Sequence, residues 1–434
     1  MKVMIDIRLV RENPELVAQN AKNKGYDIDV NKLVALDDER RTLQQQVDEL
    51  REKRNQNAAK MKGGKPDQTT IDEGKQIKIE LAEREGYLTE TEEEYFKLWK
   101  SIPNIALPTV PVGASEDENV VIKTVGNIPQ FDFEPKNHAE IAEAKGWLDK
   151  ERGAKIAGAR FVYTMGDLVR LEFALWQYAM DVLTDEKVLQ KIIDDNGLKV
   201  TAKPFKPILP PAVAKQAVFE ATGRLNRQEQ TYKIEDEDLW LNASAEHTIS
   251  PIYLDEILDE KDLPIRYVGY TTAFRREAGT YGKDTEGIFR LHQFNKLEME
   301  SFTTAETSLD EHFFLVALQE YLMAQLGLPY HVLEKCTADI GRPNAKGVDI
   351  EVWLPSQQTY RETHTADYIG DYQTRAMKTR VRRADGTVEL AHTNDATAFS
   401  QRPLVGILEN YQDKDGNVTV PEVLRPYLGG REVL

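Results

Sequence analysis

Between residues 36 and 61 the chain repeats in alternating three- and four-residue steps: Leu36, Arg40, Leu43, Val47, Leu50, Arg54, Asn57 and Met61. That is the a/d spacing of a coiled-coil seam, interrupted where arginine and asparagine take seam positions. Gly63-Gly64-Lys65-Pro66-Asp67 then combines the signals that end a helix. A second series, Ile77, Leu81, Leu88, Tyr95, Leu98 and Ile102, resumes at a similar period. Two long helices joined by so short a turn must be antiparallel neighbours. With about 30 residues per helix at about 1.5 Å each, they form an arm on the order of 45 Å long. Such an arm cannot bury all its length, so much of it is expected to stand in solvent. The same pattern also suits a dimerisation coiled coil.

Pro103, Pro108, Pro111 and Gly113 mark a linker out of the arm, which divides the chain into an expected 1–108 and 109–434. Beyond it the periodicity changes. Residues 173–183 read as an amphipathic helix, and 265–270, 289–299 and 348–354 read as strands. Residues 308–326 read as a helix closed by Gly327. The strands do not alternate regularly with helices, which favours an α+β domain with an antiparallel-dominated sheet.

Composition narrows the class. With 41% hydrophobic and 30% charged residues among 434, the chain can bury a sizeable core. No apolar run approaches a membrane span, and the N-terminus reaches charge and Pro14 too soon for a secretory signal. The single cysteine, Cys336, excludes an intrachain disulfide framework, and the histidines show no metal-ligand spacing. A cytoplasmic protein that does not engage membranes is expected. The net charge of −17 argues against general nucleic-acid binding. Yet Arg51, Lys53, Arg54, Lys60, Lys62 and Lys65 face only Glu52 as an acid within their stretch, at the far tip of the arm. This patch suits phosphate, or is a solvated helix end.

The richest chemistry lies between residues 272 and 299, which read as a strand, a glycine-rich loop and a returning strand. Arg275 and Glu277 are two apart and share a face; Arg290, Phe294 and Glu298 are spaced by four on the return strand, which again keeps one face, so that face carries two arginines, two carboxylates and a ring. Paired arginines suit phosphate oxygens, and the ring suits a purine. A surface salt-bridge ladder is the alternative.

The Phe-Arg-x-Glu strand at 274–277 and its return, Arg290-x-His-Gln-Phe-x-Lys-x-Glu298, resemble motif 2 of the class II aminoacyl-tRNA synthetases, in the form of the seryl-tRNA synthetase family. Residues 151–161 are similar to that family's segment ahead of motif 1. Ile208-Leu-Pro-Pro211 resembles the motif 1 strand with its dimer-interface proline. Residues 420–427 resemble its C-terminal signature, and Arg402 falls where motif 3 has its arginine. The N-terminal hairpin resembles the arm with which the family grips the long variable arm of tRNA. The resemblance spans the chain in order and implies a class II catalytic domain built on an antiparallel sheet flanked by helices.

It also implies roles. Arg275 would hold the α-phosphate of ATP and Glu277 the adenine amino group, with Phe294 stacked on the base and Arg276 beside them. Arg290 and Arg402 would meet the outer phosphates. Glu298 would bind serine together with Ser244, Ala245 and Glu246. Glu362 would bind ATP and Mg²⁺, with Thr363, His364 and Thr365 in the same ATP-binding segment and Thr365 a second Mg²⁺ ligand. Arg275, Glu362 and Arg402 would be the catalytic set. Arg51, Lys53, Arg54, Lys60, Lys62 and Lys65 would bind tRNA. The implied protein is a homodimer that activates L-serine with ATP and loads it on tRNA(Ser), with tRNA(Sec) a further candidate. A paralogue loading another small amino acid or a carrier protein, and a non-catalytic tRNA-binding regulator, are the alternatives.

Departures from the family gather around the amino-acid pocket. Ser244 stands for threonine, His247 for an apolar residue, and Thr363-His364-Thr365 for Ile-Ser-Ser. The approach to motif 3 reads His392-Thr-Asn-Asp-Ala-Thr397 and is one residue short before Arg402. The family's serine-binding serine then aligns with Ala396, or with Thr397 after a one-position shift. Cys336 matches a family position and is expected to be a buried structural thiol rather than a nucleophile.

Overall fold

The structure, a computed structural model, describes residues 5–62, 67–225, 230–277 and 286–434. They divide into two units, one ending at Ile105 and the other running from Ala106 to Leu434. Lys65 and the glycine-proline turn lie outside the described residues, as do loop residues 278–285; the side chain of Lys62 is likewise undescribed.

In the first unit, two short helices, α1 (Ile7–Glu12) and α2 (Pro14–Asn23), precede the two long ones, α3 (Val30–Lys62) and α4 (Gln68–Ser101). Their cross-helix partners fix the direction. Arg40 meets Glu92, Arg51 meets Glu85, and Asn57 donates to the carbonyl of Thr70, so the helices run antiparallel. Leu43, Val47 and Leu50 bury against Leu81 and Leu88, and Leu33, Leu36, Tyr95 and Ile102 bury with Val10 and Val17. The polar seam positions differ in how they are accommodated. The Arg40 guanidinium lies 5.1 Å over the Tyr95 ring, and buried Asn57 bonds across to α4. Arg54 is exposed. Asp67 caps α4 by accepting from the Thr70 N–H at 2.7 Å.

The second unit is built on an eight-stranded sheet. In chain order its strands are β1 (Val120–Val125), β2 (Lys206–Ile208), β3 (Ile265–Phe274), β4 (Gln293–Thr303), β5 (Tyr330–Glu334), β6 (Lys346–Leu354), β7 (Thr359–Gly370) and β8 (His392–Ser400). Across the sheet they lie in the order β1-β5-β6-β7-β8-β4-β3-β2. Every pair is antiparallel except β2 with β3. Helices α5 (Gly166–Thr184), α8 (Ser308–Leu326) and α10 (Arg402–Asn410) contribute apolar side chains to one core with the sheet. Three shorter helices position the site: α6 (Gln216–Ala221), α7 (Glu246–Ile249) and α9 (Tyr372–Met377). Gly327 closes α8 at φ 70, the left-handed conformation glycine tolerates. No described helix is long and apolar enough to cross a membrane.

One expected strand is shorter than its apolar pattern. The return strand begins at Gln293, because Phe289 is held outside the ladder with the Arg361 and Arg402 guanidiniums 4.4 and 4.9 Å from its ring. Cys336 is fully buried, and its thiol donates to the Ser115 carbonyl at 3.2 Å.

Candidate active site

Strand alternation separates core from chemistry. On β4, Leu297 and Met299 enter the apolar core, so Glu298 and Glu300 face the other way. Register carries this across the sheet: Thr397 of β8 stands opposite Glu298, and Asp367, Asp395 and Glu300 align across β7, β8 and β4. The result is a polar sheet face backed by a greasy one.

Phe294 and Arg275 mark one end of this face. The Arg275 guanidinium lies 5.1 Å over the Phe294 ring, and its Nε donates to the Ala243 carbonyl at 3.0 Å. Its backbone is held as well: the Arg275 N–H bonds to the His292 carbonyl, and the His292 ring nitrogen Nδ1 to the Arg275 carbonyl. Glu277 and Arg290 form an ion pair at 2.8 Å. The Arg276 guanidinium lies 5.9 Å over Tyr232.

Glu362 and Arg402 border the same face. A β-bulge in β7 makes Thr363 the extra residue, so Glu362 pairs with Glu351 while Thr365 pairs with Asp349. Two residues three apart are thereby brought to one face. Arg402, at the start of α10, reaches the Glu362 carboxylate at 3.1 Å and its carbonyl at 2.9 Å. Desolvation in the cleft opposes ionisation of Glu362, but Arg402 and then Lys335 hold its carboxyl below the ordinary carboxylate range.

Further along β4 lies a buried charge cluster. Lys296 Nζ is 2.6 Å from Glu298, donates to Ser244 Oγ at 2.9 Å, and stands 3.9 Å from Glu246. Burial alone would lower the Lys296 pKa, but Glu298 and Glu246 raise it above the ordinary lysine value, so it stays charged. Burial pushes Glu298 well above its ordinary value against the pull of Lys296. Glu246 goes the other way: burial opposes its ionisation, yet Lys296 and then Arg224 keep it below the usual range. Gly269 is opposite Glu298, and a Cβ there would meet Ile249 Cδ1 at 2.2 Å, so the bare backbone of β3 leaves room for the Ile249 side chain of α7.

The structure does not bring every expected residue to this face. Ala396 pairs with Ala366 and Met299 on the core side, fully buried. His364 stands opposite Ile350, tilted on Phe399, with its Nε2 3.0 Å from the Ala398 carbonyl. Both are turned away by the two-residue period of their strands. Thr363 donates its hydroxyl to the Ile350 carbonyl. His247 is buried and neutral, its pKa dropped to about 3 by burial against the pull of Glu246. Sequence reasoning passed over Lys296, Arg224, Asp395 and Phe289. Lys296 had a signal, since it sits two residues from both Phe294 and Glu298; Arg224 comes from a distant loop and had none.

Known proteins resemble this chain along both of its units. Residues 4–106 match the seryl-tRNA synthetase N-terminal domain, and residues 230–411 match the tRNA synthetase class II core domain (G, H, P, S and T). A serine–tRNA ligase of Thermodesulfovibrio yellowstonii is 40% identical over 98% of this chain and 99% of its own length. The seryl-tRNA synthetase of Pyrococcus horikoshii, solved with ATP, superposes with a TM-score of 0.86 at 35% identity and covers 99% of both chains. The cytoplasmic serine–tRNA ligase of Naegleria fowleri, solved with AMP, gives 0.82 at 30% identity, covering 100% of this chain and 99% of that one. With such identity along both units, the chain belongs to the seryl-tRNA synthetase family of class II aminoacyl-tRNA synthetases.

Proposed function

We propose that this protein activates L-serine with ATP to seryl-adenylate, releasing pyrophosphate, and transfers the seryl group to the terminal adenosine of tRNA(Ser), with tRNA(Sec) a further candidate. The observation that carries this reading is the order of groups along β4: a ring and guanidinium at Phe294 and Arg275, then Lys296 and Glu298. Adenine and α-phosphate would sit at the first, and the amino acid at the second, within reach of one another.

A serine carboxylate oxygen attacks the α-phosphorus, the new O–P bond forms, and the bond to the departing pyrophosphate breaks. No proton need move, so positioning and charge stabilisation can supply most of the catalysis. Arg275 would stabilise the α-phosphate, and Arg290 and Arg402 the outer phosphates. Serine would place its ammonium toward Glu246 and its hydroxyl toward Glu298 and Thr397, with Ser244 held by Lys296. In the second step a ribose hydroxyl of tRNA attacks the acyl carbon, the new ester C–O bond forms, the bond from that carbon to the AMP phosphate oxygen breaks, and the hydroxyl proton passes to the departing AMP phosphate.

The residues fit a Mg²⁺ that takes most of its ligands from phosphate and water. The Glu362 side chain is 48% exposed, and no group of three His, Cys, Asp or Glu able to hold a metal occurs among the described residues. Glu362 would hold the ion, with the Thr365 hydroxyl beside it; bound there, it would neutralise charge on the phosphates. The arm at 1–108 would grip tRNA through Arg51, Lys53, Arg54, Lys60, Lys62 and Lys65, and the unit at 109–434 would carry out the chemistry in a cytoplasmic homodimer. Serine-dependent ATP–pyrophosphate exchange, followed by charging of tRNA(Ser), tests the reading. Exchange driven by another amino acid in preference to serine would replace it with a paralogous ligase.

A further inference from the structure

One row beyond Glu298, about 7 Å along the strands, the sheet face carries Asp367, Asp395 and Glu300 in register. All three are buried, and Glu300 Oε1 has no hydrogen-bond partner among the described residues. Carboxyls buried side by side must hold protons or share a cation. Arg224 supplies it from outside the sheet, with Nη2 2.5 Å from Asp395 and Nη1 3.9 Å from Glu246. The chain leading up to it is anchored. Gly223 turns the chain after α6 at φ 71, and the Arg224 N–H bonds to the Phe219 carbonyl. The carbonyl of Thr222 accepts from Gln373 of α9, which is fully buried. The guanidinium therefore touches both Glu246, proposed to meet the amino-acid ammonium, and the row that a longer substrate side chain would reach.

We propose that Arg224 and Asp395 together form the floor of the amino-acid pocket, and that the Arg224 guanidinium sets its depth and excludes side chains longer than that of serine, cationic ones above all. The proposal rests on the assignment of Glu298 and Glu246 to the amino acid. Without Arg224, Asp395 and Glu300 would face the vacated space and would accept an ammonium in its place.

The test is ATP–pyrophosphate exchange on the full-length protein with serine and with 2,4-diaminobutyrate, whose side chain is longer and ends in an ammonium. Arg224→Ala should raise the serine KM about tenfold or more, the scale of one lost hydrogen bond to a charged group, with the ATP KM unchanged. It should also admit diaminobutyrate, which the parent rejects, and millimolar guanidinium ion should partly restore the serine KM. If Arg224→Ala does not fold, the pair Arg224→Gln/Asp395→Asn, which leaves the buried net charge unchanged, should show the same loss of serine affinity. Folded variants with the parent's serine KM and the parent's rejection of diaminobutyrate would overturn the proposal while serine activation stands. A parent protein without serine-dependent exchange would instead remove the reading beneath it, and the proposal with it.

Discussion

Thr397 stands opposite Glu298 on the polar face of the sheet, while Ala396, one residue earlier, stands opposite Met299 in the core. The one-residue shortening before Arg402 left two positions competing for one role, and strand alternation separates them. Thr397→Val should weaken serine activation by about 1–3 kcal/mol, the cost of an unmade buried hydrogen bond, with the ATP KM unchanged. Ala396→Ser should leave the serine KM alone and lower stability by about 1–3 kcal/mol, because its hydroxyl would be buried without a partner. Steady-state kinetics and denaturant unfolding of the two variants distinguish the positions; a serine KM that responds only to Ala396→Ser would reverse the assignment.

Lys296 is the common partner of Glu298, Ser244 and Glu246. Lys296→Met leaves buried carboxylates without their cation and should destabilise the protein by about 3–5 kcal/mol, as breaking a buried pair does. Adding Glu298→Gln removes one of those charges, so the double variant should recover part of the missing stability. It should not recover serine activation. If the loss in the double variant equals the sum of the losses in Lys296→Met and in Glu298→Gln alone, the pair is not coupled.

Arg275 has two simultaneous contacts, stacking on Phe294 and donating Nε to the Ala243 carbonyl. Lysine has neither a planar face nor an Nε–H. Arg275→Lys, which keeps the charge, should therefore slow adenylation by about 10²-fold, comparable to losing one oxyanion donor. Single-turnover formation of adenylate measures this directly, and a near-parental rate would remove Arg275 from the catalytic set.

The sequence displayed what depends on local periodicity. The heptad steps of α3 and α4 and the period-two alternation of β4 could be read directly, and the same alternation would have exposed Lys296 between Phe294 and Glu298. The bulges were not legible. An extra residue at Thr363 or Ala398 shifts pairing without changing composition, so which of 362–365 and 396–397 face the cleft required the register itself. Arg224 was hidden for another reason: its partners Asp395 and Glu246 are distant in sequence, and burial alone makes it important.

Acid sensitivity should come largely from buried histidines. His247, His312 and His364 are each pushed down to about 3, with burial the largest cause, against an ordinary value of 6.5. A depressed value means that the unfolded chain takes the proton first. Stability is thus fully present above about pH 6.5 and is lost as pH falls toward 3, at about 1.4 kcal/mol per pH unit for each histidine. His312 tests this apart from the cleft, since it is fully buried on α8 beside Phe313 and Tyr368. His312→Leu should flatten the fall in unfolding free energy between about pH 6 and 4. An unchanged slope in urea titrations across that range would place the acid sensitivity elsewhere.

The basic residues of the arm are not equivalent. Arg51 is already bound to Glu85 at 2.8 Å, and Lys60 lies 3.9 Å from Glu73. Lys53 and Arg54 are exposed and have no ion-pair partner among the described residues, so phosphate can engage them without breaking an existing pair. Lys53→Ala/Arg54→Ala should therefore weaken tRNA binding more than Arg51→Ala does. For each phosphate no longer neutralised, the slope of log K against log salt should fall by about 0.7–0.9. Serine-dependent pyrophosphate exchange should be unaffected, because no residue assigned to ATP or serine lies in the arm. Binding isotherms over a salt series, with exchange assays in parallel, measure both; equal loss of exchange and binding would contradict the division of labour between the two units.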